Sequence, residues 1–238
     1  MKKVFIIVLA IAGIAFASVA QESKTMYIMK KGEVVYQSVV SEIDSIVFYQ
    51  PSTPIVDEAG VIINGVKWAT RNVDKPGAFA VNPEDAGMFY QWDSNIGWSA
   101  TNQMLNSNGG TNWNTGISTD VKWVTTNDPS PAGWRVPTID EIRTLLATDK
   151  VSNEWTIQNG ITGRKFTDIT TDNTLFLPAA GYRDVSAGTL GSVGTYGYYW
   201  SSTQGGSDVA DRLDFNCDGA DWNYDYRGYG FTVRSVAE

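Results

Sequence analysis

The side chains best suited to chemistry crowd one stretch near the C-terminus. Ser207, Asp208, Asp211, Asn216, Asp218, Asp221, Trp222, Asn223, Tyr224, Tyr226 and Arg227 stand there among glycines. Their types suit contact more than bond-making. Tyr and Trp give rigid area at low entropic cost, and Asn, Ser and Gly give adaptable hydrogen bonds. Exposing Trp222, Tyr224 and Tyr226 without reason is costly. The reading is an exposed ligand-binding face, with these aromatics sharing one side as anchors while Asp, Asn and Arg set orientation. The bland alternative is a polar loop plus an amphipathic hairpin. Leu213-Asp214-Phe215 supports a strand there, with Leu213 and Phe215 inward and Asp214 outward.

Other chemistries fit less well. Asp221-Trp222-Asn223-Tyr224-Asp225 begins like an EF-hand loop, but Tyr226 replaces the required Gly and Thr232 the required Glu. A looser calcium site from Asp218, Asp221 and Asp225 competes with the simpler reading of solvated carboxylates, and no other cofactor is expected. Histidine is absent, which excludes Ser-His-Asp and Cys-His catalysis and every His-containing zinc site. Ser201 and Ser202 lack a base. The 26 acidic residues offer many carboxyl pairs for glycoside hydrolysis and mark none. Glu141 reads as a helix cap. Arg135 and Arg183 read as structural pairs rather than anion sites. Among the tryptophans, most of which belong in a core, Trp98 and Trp113 are the best two for exposure and for stacking on sugars.

The elements that must position these residues follow from pattern. Lys2 and Lys3, the apolar run Val4 to Phe16 and Ser18-Val19-Ala20 read as a signal peptide over residues 1–20. The mature chain is therefore expected to be exported, at the outer surface, outside the cell or in the periplasm, and no stretch predicts a transmembrane segment. It would carry 16 basic and 26 acidic side chains, a net charge of −10. That balance argues against nucleic acid and anionic membranes as partners. Cys217 is the single cysteine, so no internal disulfide can form, and 9 Trp, 11 Tyr and 9 Phe must supply the core.

Residues 21–50 read as a short β-hairpin-like unit built from Met26–Met29, Val34–Tyr36 and a third strand at Ser45–Tyr49, which packs on the main domain or pairs with another chain. Residues 51–60 read as a linker and 61–238 as the main domain. Within it, Asn64-Gly65 marks a hairpin, Gly87 to Trp92 a buried strand, and residues 93–120 a long irregular stretch. Thr138-Ile139-Asp140-Glu141 is a capping box, and Ile139, Ile142, Leu145 and Leu146 then recur at helical spacing. A second helix is expected near residues 80–86. Gly188, Gly191, Gly194 and Gly197 read as a glycine-rich loop. Tyr198 to Ser202 and Gly230 to Val236 read as strands.

Several segments also fall in a familiar order: GVKWATRNV at 65–73, GMFYQW at 87–92, DPSPAGWRVPT at 128–138, LPAAGYR at 177–183, YYWSST at 198–203 and GFTVRSV at 230–236. Together they resemble the Fibrobacter succinogenes major paralogous domain over roughly residues 60–237. The resemblance implies an α+β, C-type-lectin-like fold, shared with formylglycine-generating enzymes and with the variable proteins of diversity-generating retroelements. Small twisted antiparallel sheets, one or two helices and extensive loops would result, with the first and last strands close together. Many relatives carry Cys where this chain has Ser130 and Ser235, and those cysteines would pair. Here Val233 and Arg234 are expected to tether the terminal strand instead. The copper-binding cysteines of formylglycine-generating enzymes have no counterpart. In retroelement-diversified relatives the segment around 206–227 carries the variable residues, with Trp222 a fixed position. The residues 21–50 resemble N-terminal segments of exported Bacteroidota proteins.

The function so read is non-catalytic binding of an extracellular protein or glycan through residues 203–228, joined by the loop at 93–116. The alternative is a structural or adhesive surface component that assembles through the N-terminal β-unit.

Overall fold

The structure is a computed structural model that describes residues 25–30, 33–39 and 59–238. The expected signal segment, the third N-terminal strand and most of the linker lie outside the described residues. The chain divides into two compact units, Met1–Ser52 and Thr53–Glu238. In the first, β1 (Thr25–Lys30) pairs antiparallel with β2 (Glu33–Val39).

The second unit has the order β3 (Val61–Ile63), β4 (Val66–Trp68), β5 (Phe89–Tyr90), β6 (Gly97–Trp98), β7 (Trp134–Arg135) and α1 (Ile139–Leu145). There follow β8 (Val151–Gln158), β9 (Ile161–Asp168), β10 (Thr174–Pro178), β11 (Tyr182–Arg183) and β12 (Leu190–Gly191). The chain ends with β13 (Gly197–Gln204), β14 (Val209–Phe215), β15 (Ala220–Tyr226) and β16 (Val236–Ala237). Small antiparallel sheets with one α-helix among the described residues make this an α+β fold. The sheets run β3-β4-β16-β7, β10-β9-β8 and β13-β14-β15, with two-stranded pairs β5-β6 and β11-β12. The last strand lies beside the first hairpin of this unit, as Val236 of β16 pairs with Trp68 of β4 on one side and Arg135 of β7 on the other.

Local chemistry explains the best-formed elements. The Glu141 amide donates to Thr138 Oγ1 at 3.3 Å while the Thr138 amide donates to Glu141 Oε2 at 2.8 Å, so the expected capping box is present. Arg135 holds the other side of the same carboxylate at 2.6 Å. Burial pushes the Glu141 carboxyl up, but the bonds from Arg135 and Thr138 outweigh it and hold the group below its ordinary range. Ile139, Ile142 and Leu145 face a core that includes Phe166, Leu177, Tyr199, Leu213 and Phe215. A second core gathers Val73, Tyr90, Trp92, Trp200, Phe231 and Val233.

Two sequence expectations fail. Residues 80–86 form turns and no helix, because Asn82-Pro83-Glu84-Asp85 closes a side-chain turn in which the Asn82 amide donates to Asp85 Oδ2 at 2.8 Å. The glycines at 188–197 do not make a single loop: Leu190–Gly191 pairs with Tyr182–Arg183, and Gly197 opens β13. Gly197 is required there because a Cβ would sit 2.1 Å from the Phe215 ring packed across it.

The expected tether is present and has a third member. Arg234 is buried and donates Nε to Asn72 Oδ1 at 2.8 Å and Nη1 to the Ala69 carbonyl at 3.2 Å, and Val233 is buried in the second core. Ser130 Oγ and Ser235 Oγ also hydrogen-bond at 2.7 Å. Replacing both, Ser130→Cys with Ser235→Cys, is expected to form a disulfide across 105 residues. It should add up to about 4–5 kcal/mol if native geometry is kept. Thiol titration of the oxidised, unfolded chain should then count Cys217 alone, and the melting temperature should drop on adding reductant.

Candidate functional site

The C-terminal half of the fold places the residues of interest on the three-stranded sheet β13-β14-β15. β14 is central and β15 is its outer strand. Asp221 lies opposite Asp214, Trp222 opposite Leu213, Asn223 opposite Arg212 and Tyr224 opposite Asp211. Successive side chains on a strand point to opposite faces. Trp222, Tyr224 and Tyr226 therefore share the face of Leu213, against which α1 packs, while Asp221, Asn223 and Asp225 share the other face with Arg212 and Asp214.

The aromatic row meets the expectation for it. Trp222, Tyr224 and Tyr226 are 40%, 59% and 36% exposed. The Arg143 guanidinium of α1 lies 4.2 Å from the Trp222 ring centre, a cation–π contact that fixes the indole at the helix edge. Ser207 and Asp208 are exposed in the turn between β13 and β14. Asn216 and Asp218 occupy the turn between β14 and β15, where Asn216 Oδ1 accepts from the Asp218 amide at 2.8 Å and the Gly219 amide at 3.2 Å.

Three corrections follow. Arg227 is buried and gives its guanidinium to the protein: Nη1 donates to the Ser118 and Asp120 carbonyls at 3.0 and 2.8 Å, and Nη2 to the Gly206 carbonyl at 2.8 Å. The same group stacks on Trp92 at 4.1 Å. It ties the β13–β14 turn to the long irregular stretch and has no free donor face for a ligand. Asp211 is buried too, beneath the strand pair, where burial pushes its carboxyl up against the opposing pull of Arg143. Finally, the candidate residues occupy two faces of one sheet, because the period of a strand separates neighbours such as Asp221 and Trp222.

The calcium grouping is not assembled. Asp225 faces Arg212 at 3.2 Å, and among the described residues no cluster of three His, Cys, Asp or Glu side chains is placed to hold a metal. Trp98 is 2% exposed and packs at a tilt against half-buried Trp113, with ring centres 5.0 Å apart, so neither offers an open indole platform. Arg135 pairs with Glu141 as expected, whereas buried Arg183 is satisfied by the Ser99, Thr101 and Gly188 carbonyls.

The backbone edge of β15 carries a further feature. Arg227 N donates to the Asp208 carbonyl and Asn216 N to the Gly219 carbonyl. That register turns the amides of Trp222, Tyr224 and Tyr226 away from β14. Each is taken by the preceding side chain: Asp221 Oδ1 at 2.8 Å, Asn223 Oδ1 at 2.9 Å and Asp225 Oδ1 at 3.0 Å. The outward donors of this edge are thereby already engaged, which disfavours pairing with another strand.

On the opposite face lies a group the sequence reading missed. Tyr196 stacks on Tyr198 at 5.7 Å and Tyr198 on Phe231 at 5.0 Å. Tyr182 meets Tyr198 and Tyr229 edge-on at 5.7 and 5.6 Å. Burial pushes the Tyr198 hydroxyl up to about 12. The Tyr196/Tyr198 alternation is visible in the sequence, but nothing local brings Tyr182 and Tyr229 beside them. Separately, a cleft of about 290 Å³ lies between Gln91–Ser94 and the 114–127 region. Its buried Asp93 accepts from Ser118 Oγ at 2.6 Å and the Val124 amide at 2.7 Å, and burial pushes its carboxyl up.

A family model described as a domain of unknown function, DUF8237, matches residues 156–236. That stretch takes in the whole β13-β14-β15 sheet and leaves out α1 and β3 to β7. No curated protein and no solved structure matches the chain. Among the described residues, no helix is long and apolar enough to cross a membrane.

Three variants test these placements. Arg227→Ala removes the buried guanidinium that bonds several part-buried carbonyls and packs on Trp92, and is expected to lower stability by about 2–3 kcal/mol, whereas Tyr224→Ala should stay within about 0.5 kcal/mol, both read by urea unfolding. Asp221→Ala with Asn223→Ala frees two edge amides. Sedimentation analysis is expected to show greater self-association than in the parent chain.

Proposed function

We propose that this is an exported, non-catalytic binding protein whose domain over residues 61–238 has a C-type-lectin-like fold. Its ligand is an extracellular protein or glycan. The observation that carries the reading is the row Trp222, Tyr224 and Tyr226, held exposed on one face of a rigid outer strand. Large aromatics on a scaffold whose other rings are mostly packed inside supply anchor area with little entropy to lose on binding. The absence of histidine from the sequence and the use of buried Ser201 Oγ to bond the Asp211 carbonyl at 2.8 Å favour contact over catalysis.

A glycan and surface-protein array probed with residues 21–238 tests it. Binding is expected for the parent chain and is expected to fall at least about tenfold for Trp222→Ala with Tyr224→Ala. Undiminished binding by that variant would overturn the reading. Descent from a diversity-generating retroelement is tested at the gene: a near-identical 3′ repeat differing mainly at adenines should lie beside a reverse transcriptase gene. The second reading, assembly through the N-terminal unit, draws on the exposure of Tyr27 and Val34 on its two-stranded sheet. A strict monomer at high concentration, measured by light scattering, would count against it.

A further inference from the structure

We propose that the accessible part of the β13-β14-β15 face turned away from α1, around Tyr196, Tyr198, Asp214 and Asp221 and beyond the buried Trp200 and Ala210, is a second docking site, and that it takes a basic protein segment presenting arginine or lysine side chains. This inference does not rest on the aromatic row, which lies on the opposite face of the same strand.

The surface is prebuilt. Tyr182, Tyr196, Tyr198 and Tyr229 are fixed by mutual stacking and by Phe231 beneath them. None is fully buried, and Tyr196 is 37% exposed. None of the four hydroxyls has a hydrogen-bond partner among the described residues, so the rings spend their packing on the protein and their polar ends stay available. Rigid tyrosines of this kind give contact area at low entropic cost.

The charge around them is predominantly negative. Asp214, Asp221 and Asp225 lie on the sheet face, and Asp184 lies near Tyr229. The cation among them, Arg212, is buried and internally engaged. Its guanidinium lies 4.8 Å from the Tyr198 ring centre and 5.7 Å from that of Phe231, and it pairs with Asp214 at 2.7 Å and Asp225 at 3.2 Å. The face thus already holds one guanidinium between an aromatic ring and carboxylates. Asp184 and Asp221 do not pair with Arg212; Asp184 Oδ1 accepts from the Ser186 amide and hydroxyl and Asp221 Oδ1 from the Trp222 amide, so the second oxygen of each carboxylate offers that chemistry to an incoming cation.

Charge complementarity selects the occupant. An acidic glycan or an anionic lipid surface is repelled, because the four carboxylates outnumber the one guanidinium that Asp214 and Asp225 share, on a chain of formal charge −8. A neutral sugar can donate hydroxyl hydrogen bonds to them but gains no charge pairing. Arginine suits the site best because its planar group stacks on a ring and bonds a carboxylate at once.

The test is fluorescence anisotropy with the mature chain and labelled decapeptides of alternating Arg–Ser, Lys–Ser and Glu–Ser, beside a labelled neutral hexasaccharide. Arg–Ser should bind most tightly and Lys–Ser less so. Both should weaken as salt rises from about 50 to about 300 mM, and Glu–Ser and the sugar should not bind. Asp221→Asn with Tyr196→Ala, whose asparagine can still accept the Trp222 amide, should weaken Arg–Ser binding roughly tenfold. Asp221→Lys alone, an exposed charge reversal checked for an unchanged melting temperature, should weaken it at least as much. Trp222→Ala with Tyr224→Ala should leave it unaltered. The proposal is overturned if Arg–Ser does not bind, if Glu–Ser or the sugar binds equally, if both sheet-face variants bind like the parent, or if the Trp222/Tyr224 variant alone abolishes binding.

Discussion

Residues 227–236 run through the interior with little sheet of their own, and every backbone group they bury must find a partner elsewhere. The Arg227 carbonyl accepts from Trp92, and Gly230 exchanges bonds with Arg183. Phe231 exchanges bonds with Tyr90, and Thr232 bridges Tyr198 and Trp200. The Val233 and Ser235 carbonyls accept from Val73 and Ala69. Segments far apart in the chain are therefore fixed to one buried spine. The sheets that contain β5, β11 and β13 are joined through it, and the shortest of these pairs would not be stable alone.

The side chains of that spine repeat the pattern. Arg227 collects carbonyls from two surface loops, and Arg234 collects Asn72 and Ala69. Burying a guanidinium is costly unless its donors are used, so each arginine fixes the loops around it as firmly as a packed aromatic would. Ser130 and Ser235 contribute a hydrogen bond where a cross-link would otherwise fit. In this acidic chain the buried arginines thus act as interior connectors and supply little positive surface.

The same economy shapes the exposed sheet. Arg212 joins the aromatic core to the surface carboxylates Asp214 and Asp225, and β15 uses Asp221, Asn223 and Asp225 to satisfy its outward amides. A strand whose outward amides are engaged by its own side chains is a poor template for strand addition.

What the sequence determined by itself was local. The capping box and apolar spacing of α1, the Asn64-Gly65 hairpin and the inward Leu213 and Phe215 follow from interactions within a few residues, and each stands where its pattern put it. The exposure of Trp222, Tyr224 and Tyr226 on one face follows from strand alternation in the same way. Which residues were free for a ligand was decided by tertiary structure. Arg227 and Asp211 look like surface chemistry in the chain but are buried, because carbonyls more than a hundred residues away need the Arg227 guanidinium and Asp211 lies beneath the paired strands. Tyr182, Tyr196, Tyr198 and Tyr229 come together only when β11, β13 and the buried spine meet. Contacts between distant segments depend on how the whole chain closes, and no local pattern encodes that.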